Sequence, residues 1–325
     1  MVDSRFNSAF RLPVLAIIGV GMIGGSLSLG LKKRRLVDRV IGFGRSRENL
    51  DRAMDLGAID EIASSIQEAT AQADMVVLAT PVGVMADIMR TMSTVLPEHA
   101  VVTDVGSVKQ SVVDAARSAL GERLGRFVPG HPVAGKEHSG VAAASADLYE
   151  NHRVALTPMT ESDPDAVEQV EMMWRSVGAD IVWMQTGEHD RVLALTSHLP
   201  HLLAYAMVQY FAADSDREKS YEMVAGGFYD FTRIASSDPV MWRDICEMNR
   251  DFILDRIQGY RDKLENLEKL VANGNDLELE ALFSAAREAR EVVTERRRSV
   301  PSSEQVSGRR RVRQLVNRSL VYSGP

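Results

Sequence analysis

The chain has 325 residues, 45% of them hydrophobic, and a formal net charge of -7, which allows two domains with a real core and argues against nucleic acid as the main ligand. No apolar stretch has the uninterrupted length of a spanning helix, so a membrane is not an expected partner either. Residues 1–12 lack the apolar centre of a signal peptide and the one cysteine, Cys246, excludes an intramolecular disulfide; the expected location is the reducing cytoplasm.

From Val14 to about Met184, short Val/Ile-rich runs alternate with amphipathic stretches, the pattern of a parallel sheet with crossover helices. The runs at 14–18, 39–43, 75–80, 100–105, 126–129, 153–158 and 180–184 are the expected strands. The segment "VPGHPVAGKEHSG", Val128 to Gly140, reads as a poor helix and a poor strand. Beyond Gly187 the texture becomes helical, with no strand-like runs. Asp238 and Pro239 are placed to cap and open a long helix that ends at Asn273 and Gly274, and a second helix is expected over about 276–296. Helices of this length bury more than one neighbour can cover, which favours a homodimer. Residues 301–325, rich in Ser and Arg, read as a flexible basic tail. The expected organisation is a dinucleotide-binding α/β domain over 1–185, a doubly wound parallel sheet, followed by an all-α domain over 186–300.

The dinucleotide assignment rests on "IIGVGMIGGS", which sets Gly19, Gly21 and Gly24 as GxGxxG directly after a strand and opening a helix. The first glycine allows the tight turn, the second lets a pyrophosphate reach the backbone, and the third lets helix and strand pack closely. The N–H groups of Met22, Ile23 and Gly24 are then free for phosphate oxygens. At the end of the second strand, where a carboxylate would accept from the adenosine ribose, stand Gly44, Arg45, Ser46 and Arg47. A guanidinium and a hydroxyl suit a 2′-phosphate, so NADP is favoured over NAD; the competing reading is an ordinary solvated loop.

In such a sheet, ligands sit outside the carboxyl ends of the strands. Three polar loops follow those ends: Thr80 and Pro81, which would face the cofactor, then "DVGSVK" from Asp104 to Lys109, then "GHPVAGKEHSG" from Gly130. His131, between Gly130 and Pro132, is the candidate base for a proton leaving an alcohol whose carbon gives up hydride. Ser107 is a candidate hydrogen-bond partner for His131 or for the substrate hydroxyl. A structural histidine in a turn is the plainer alternative. In "TSHLPHLLAY", His198 and His201 lie three apart around Pro200, which should kink the helix. No local carboxylate or Cys completes a metal site there, and none is expected. Arg233 or Arg243 would serve as a bidentate carboxylate clamp.

Taken in order, "GVGMIGGSL", "TDVGSVK", "GHPVAGKEHSG", "SHLPH" and "GGFYDFTRIASSDPVMWRDI" resemble the prephenate/arogenate (cyclohexadienyl) dehydrogenase family of tyrosine biosynthesis, from about Leu12 to the end of the long helix. The resemblance implies a Rossmann domain followed by an all-helical dimerisation domain, and oxidative decarboxylation of a cyclohexadienol carboxylate with NAD or NADP. It places the catalytic histidine on His131, the orienting serine on Ser107, the carboxylate-binding arginine on Arg233 and a substrate-binding histidine on His198. Prephenate and arogenate differ at a keto or ammonium group, and Glu137 is a candidate partner for the ammonium. Gly44 departs from the acidic residue usual in NAD-using members, and Tyr229 stands where arginine is common. The ends are too short for a fused chorismate mutase or a regulatory ACT domain, so a monofunctional chain is expected. Two other readings are a β-hydroxyacid-type dehydrogenase, for which no helical lysine acid/base is evident, and a non-catalytic dinucleotide sensor, which would need the glycines but not His131 and Arg233.

Overall fold

The computed structural model describes residues 10–134 and 140–299. Glu137 and the tail over 301–325 lie outside the described residues. Nine strands are described: β1 Leu12–Ile18, β2 Val37–Phe43, β3 Glu61–Ile62, β4 Met75–Leu78, β5 Val101–Asp104, β6 Phe127–Val128, β7 Gly130–Val133, β8 Arg153–Leu156 and β9 Asp180–Trp183. Six form a parallel sheet in the order β3-β2-β1-β4-β5-β6, the topology whose crossovers reverse direction between β1 and β4. Its helices are α1 Met22–Lys33, α2 Arg47–Asp55, α3 Ile66–Thr70, α4 Met85–Ser93, α5 Gln110–Ala119 and α6 Pro164–Ser176.

Successive side chains of the central strands point to opposite faces, and each face has its own core. Leu15, Ile17, Met75 and Val77 pack with Leu27 and Leu31 of α1 and with Val170 and Trp174 of α6. Ala16, Ile18, Val76 and Leu78 pack with Met89 of α4 and Val112 and Val113 of α5. Trp174 is fully buried, edge-on to Tyr149 with ring centroids 5.0 Å apart, and the Tyr149 hydroxyl donates to the Ile23 carbonyl at 2.6 Å. This contact ties α6 to the first turn of α1.

The expected single parallel sheet is corrected at one place. β7, β8 and β9 form a separate three-stranded sheet in which β7 runs antiparallel to β8. The segment read as a poor strand therefore contains β7, with His131 paired opposite Ala155. Pro129 supplies the reason: it has no N–H to continue the ladder of β6, and its carbonyl accepts from Thr157 at 3.0 Å, so the chain changes sheets there.

After β9 the described chain is helical: α7 Thr186–Leu193, a π-helical turn Ala194–His198, then α8 Leu199–Ala213, α9 Arg217–Met223, α10 Gly226–Thr232, α11 Pro239–Met248, α12 Arg250–Asn273 and α13 Asp276–Ser299. The kink expected at Pro200 takes the form of that π turn, closed by Leu199 N–H to the Ala194 carbonyl, because Pro200 cannot donate to Thr196. Asp238 caps α11 through Met241 N–H at 2.8 Å. The expected single helix to Asn273 is broken at Asn249, whose φ of -118° and ψ of 29° leave the helical region. Gly274, at φ 61°, ends α12 in the left-handed region.

The Trp174 indole N–H has no hydrogen-bond partner among the described residues, so its worth is volume and apolar area. Trp174→Ala should cost about 3–5 kcal/mol of stability, and Trp174→Phe clearly less. Urea denaturation of the two variants checks this; equal losses would mean that the ring's size is not what the core uses.

Candidate active site

The glycine turn between β1 and α1 passes a steric test for a dinucleotide. A Cβ on Gly19, whose φ is 94°, would lie 2.6 Å from the Ala79 carbonyl oxygen, and one on Gly24 would lie 2.7 Å from the Ile17 side chain. The fold itself therefore requires those two glycines. A Cβ on Gly21 would meet nothing within 4 Å, and Gly21 begins α1 without a side-chain cap. Open space in front of uncapped N–H groups is what a pyrophosphate needs. Thr80, beside Gly19 in space, has a buried hydroxyl with no partner among the described residues. Asn49 fastens this corner from α2: its Nδ2 donates to the Val20 carbonyl at 2.6 Å and its Oδ1 accepts from Val141 N–H at 3.0 Å.

At the end of β2, Arg45 is exposed. Ser46 caps α2 by accepting from Asn49 N–H at 3.2 Å, and Arg47 pairs with Asp51 at 2.9 Å. A Cβ on Gly44 would come no closer than 3.6 Å to Leu50, so packing does not exclude a carboxylate there.

The carboxyl end of β5 is a buried polar knot. Lys109 and Asp104 are both fully buried and ion-paired. Lys109 Nζ also donates to the Gly130 carbonyl at 2.8 Å, and Gly130 N–H donates to Asp104 Oδ1 at 3.2 Å. Both backbone polar groups of Gly130, the residue preceding His131, are thus held. The His131 ring, 9% exposed, places Nδ1 2.8 Å from Nε2 of His189, and His189 Nδ1 lies 2.8 Å from Asp190 Oδ1. Asp190 further accepts from the backbone N–H groups of Lys109 at 2.7 Å and Gln110 at 2.8 Å. Asn249 Nδ2 donates to the Asp190 carbonyl at 2.9 Å and lies 3.0 Å from His198 Nδ1.

Burial pushes His131 well below the ordinary imidazole value, and neighbouring His189, Lys109 and His198 push the same way. Burial also lowers His189, against its hydrogen bond to Asp190, which raises it. Burial would raise Asp190, but its bonds from His189 and the two backbone amides keep it below the usual carboxylate range. At neutral pH the knot therefore holds neutral imidazoles beside an ionised carboxylate.

Of the residues expected from the sequence, His131, Ser107 and His198 are brought together. Ser107 is half-buried with its main chain against His198, but the Nδ1 partner of His131 is His189. His198 is fully buried, its Nε2 without a partner among the described residues. Trp242 meets His198 edge-on at 6.0 Å and stacks on His201 at 4.0 Å. Arg233 is exposed in the turn before α11, close enough for its charge to lower His201, a smaller effect than that ring's burial. Arg243, the other clamp candidate, has its exposed guanidinium paired with Asp244 at 2.6 and 2.9 Å. His189, Asp190, Asp104, Lys109 and Asn249 were not assigned roles from the sequence. The adjacent His-Asp pair in "GEHDRV" was the one local signal for two of them.

Burial lowers His198 to about 4. The folded state favours its neutral form, so its contribution to stability is complete above the ordinary value of about 6.5 and is lost as pH falls toward about 4. Unfolding free energies at neutral and acid pH should show a loss that is shallower in His198→Asn by on the order of 3 kcal/mol. Parallel pH curves for the two proteins would mean His198 is not held neutral.

Two family profiles match the chain, "Prephenate dehydrogenase, nucleotide-binding domain" over residues 27–183 and "Prephenate dehydrogenase, dimerization domain" over residues 185–285. A prephenate dehydrogenase of Bacillus subtilis is 39% identical over 282 residues, covering 85% of this chain and 75% of its own. A cyclohexadienyl dehydrogenase of Zymomonas mobilis is 34% identical, with 85% and 94% covered. The crystal structure of prephenate dehydrogenase from Aquifex aeolicus in complex with hydroxyphenyl propionate and NAD+ superposes with a TM-score of 0.82 at 36% identity, covering 88% of this chain and 100% of the other. The chain belongs to the prephenate dehydrogenase family of oxidoreductases, with a nucleotide-binding α/β domain followed by a helical one.

Proposed function

We propose that this chain oxidatively decarboxylates prephenate or arogenate, with NAD(P) as hydride acceptor, in tyrosine biosynthesis. The observation that carries the reading is His131: a buried, neutral imidazole with one nitrogen committed to His189, at the carboxyl end of a parallel sheet whose glycine turn keeps its middle position open. The names of the relatives, and the phenol and NAD+ held by the Aquifex aeolicus structure, support the same chemistry.

Gly19, Gly21 and Gly24, with the N–H groups of Met22 and Ile23 and with Thr80 and Pro81, would hold the dinucleotide. Once bound, it supplies the acceptor for the hydride that leaves the ring carbon bearing the hydroxyl. His131 Nε2 takes the hydroxyl proton, turning that carbon into a carbonyl. Loss of carbon dioxide sends its electron pair through the ring to the new oxygen, which takes the proton back from His131. The products are a phenol, carbon dioxide and reduced cofactor. Aromatisation supplies much of the driving force, so the protein's main task is to position the ring and move one proton.

Ser107 would hydrogen-bond the ring hydroxyl, His198 Nε2 a polar group of the substrate, and Arg233 a carboxylate. Glu137 remains the proposed partner of an arogenate ammonium. The absence of a carboxylate at Gly44, with Arg45 exposed and the Ser46 hydroxyl still able to donate, supports NADP. A homodimer is supported by the apolar surface of the helical domain, where Met223 and Leu277 are 81% and 83% exposed, and by the dimerization profile. The single cysteine suits the cytoplasm, and no described helix is long and apolar enough to cross a membrane.

Initial rates of nicotinamide reduction with prephenate or arogenate against NAD or NADP should show turnover, faster with NADP. Four blanks from cofactor-binding protein would reject the reading and reopen the sensor alternative. His131→Asn should lower kcat by at least about a hundredfold with cofactor affinity unchanged; near-normal turnover would remove it as the base. Arg233→Gln should act on KM, and an unaltered KM would reject the carboxylate clamp.

A further inference from the structure

The base needs a bare Nε2, and a neutral imidazole carries its proton on either nitrogen. The hydrogen-bond chain decides which. Asp190, 1% exposed, is an ionised acceptor with both oxygens engaged by N–H groups of the α5 start. Its bond to His189 Nδ1 at 2.8 Å therefore requires hydrogen on that nitrogen, since two lone pairs facing each other in a buried site would repel. With Nδ1 protonated, neutral His189 has a bare Nε2. The 2.8 Å contact to His131 then requires His131 Nδ1 to be the donor, and its Nε2 is left bare.

A second line runs from the same residue. Asn249 must turn its NH2 toward the Asp190 carbonyl, which only accepts. That NH2 also faces His198 Nδ1 at 3.0 Å, making Nδ1 an acceptor and placing the His198 proton on Nε2, the buried atom that lacks a partner among the described residues.

We propose that Asp190, through His189 and Asn249, is a positioning device that locks the two site histidines in opposite tautomers: His131 presents a bare Nε2 as proton acceptor, and His198 presents Nε2–H as a donor. The inference rests on the dehydrogenase reading for its consequence, not for its geometry. It extends to pH. A second proton on His189 would turn Nε2–H toward His131, force the His131 proton onto Nε2 and block the base. The charged and titratable groups around this pair are Asp190, Asp104, Lys109 and His198. Burial disfavours that second proton, and Asp190 opposes burial. The active tautomer is therefore the one present at neutral pH and lost on acidification. When His131 takes the substrate proton, the same chain connects the new charge to Asp190, as a carboxylate supports an imidazolium in hydrolase triads.

The test has a readout that needs no substrate. In the full-length protein labelled with 15N-histidine, nitrogen NMR at neutral pH should show His131 protonated at Nδ1 and bare at Nε2, and His198 the reverse. Finding Nε2–H on His131, or a bare Nε2 on His198, overturns the proposal whatever the enzyme turns over. His189→Gln retains an amide oxygen able to accept from His131, whereas His189→Leu does not. In the Leu variant kcat should fall by on the order of a hundredfold with little change in KM, and the Gln variant should recover most of it. The Gln variant should also move the acid limb of kcat to lower pH, because the imidazole whose second proton blocks His131 is gone. Equal activity in both variants, or an unmoved acid limb, would reduce His189 to a packing residue and reject the proposal. Should the Leu variant not fold, the wild-type spectrum and the Gln pH profile still decide. Correct tautomers in a protein that turns over neither substrate would fail the dehydrogenase reading and leave this one standing.

Discussion

The structure turns on one buried carboxylate. Asp190 lies at the seam between the two domains, where the start of α5 meets α7, and it accepts from two backbone amides of the first domain and from His189 of the second. Two N–H groups at a helix start and a carboxylate satisfy each other, so the seam is closed without leaving either partner unsolvated. Because the same residue's carbonyl receives Asn249, α12 begins where it does and the expected long helix is interrupted. A buried carboxylate deprived of these donors would cost several kcal/mol, so the contact is all or nothing. Docking of the domains and orientation of the histidines are therefore one event.

A second buried pair does for the backbone what Asp190 does for the rings. Lys109 and Asp104 are ion-paired and fully buried, and they also bind the carbonyl and N–H of Gly130, with Asp104 accepting from Gly106 N–H at 2.8 Å besides. A Cβ at Gly130 would lie 3.2 Å from the Asp104 carbonyl oxygen, so the strand passes tightly against the end of β5. His131 is then fixed at its backbone by an ion pair and at its ring by an imidazole. Fixing both ends is what the proposed role of His131 as a base would need, since a base must meet its hydroxyl within hydrogen-bond reach.

The α/β half was legible because its signals are local. Val/Ile runs between turn residues mark strands that are buried on both faces, and the GxGxxG spacing reports steric contacts at Gly19 and Gly24 that the fold confirms. Helix ends at Asp238 and Gly274 were legible for the same reason. What escaped depends on pairing across distance. The switch of sheets at Pro129 follows from a bond to Thr157, the helix break at Asn249 from a bond to a residue 59 positions away, and the Lys109 to Gly130 bond spans 21. His131 could be picked out by its glycine and proline neighbours, but nothing in its own segment points to His189. The pairing of Arg243 with Asp244 is likewise a side-chain contact that the clamp reading from sequence did not include.

The two halves divide the work according to how well each is packed. The six-stranded sheet carries a full core on either face and holds the glycine turn, and the end of its β5 holds the backbone at Gly130. In the helical half the fully buried apolar cluster among the described residues is Ala194, Trp242, Ile245 and Ile253, close beside His198. Its other anchors are at the seam: Ser111 donates to the Met248 carbonyl at 3.0 Å, and Asp244 sits against Gly83 so closely that a Cβ there would lie 2.5 Å from its carboxylate. A half with so small a core of its own takes its order from what it docks on. Damage at the seam should therefore reach His198 and Trp242 before it reaches the sheet and its glycine turn.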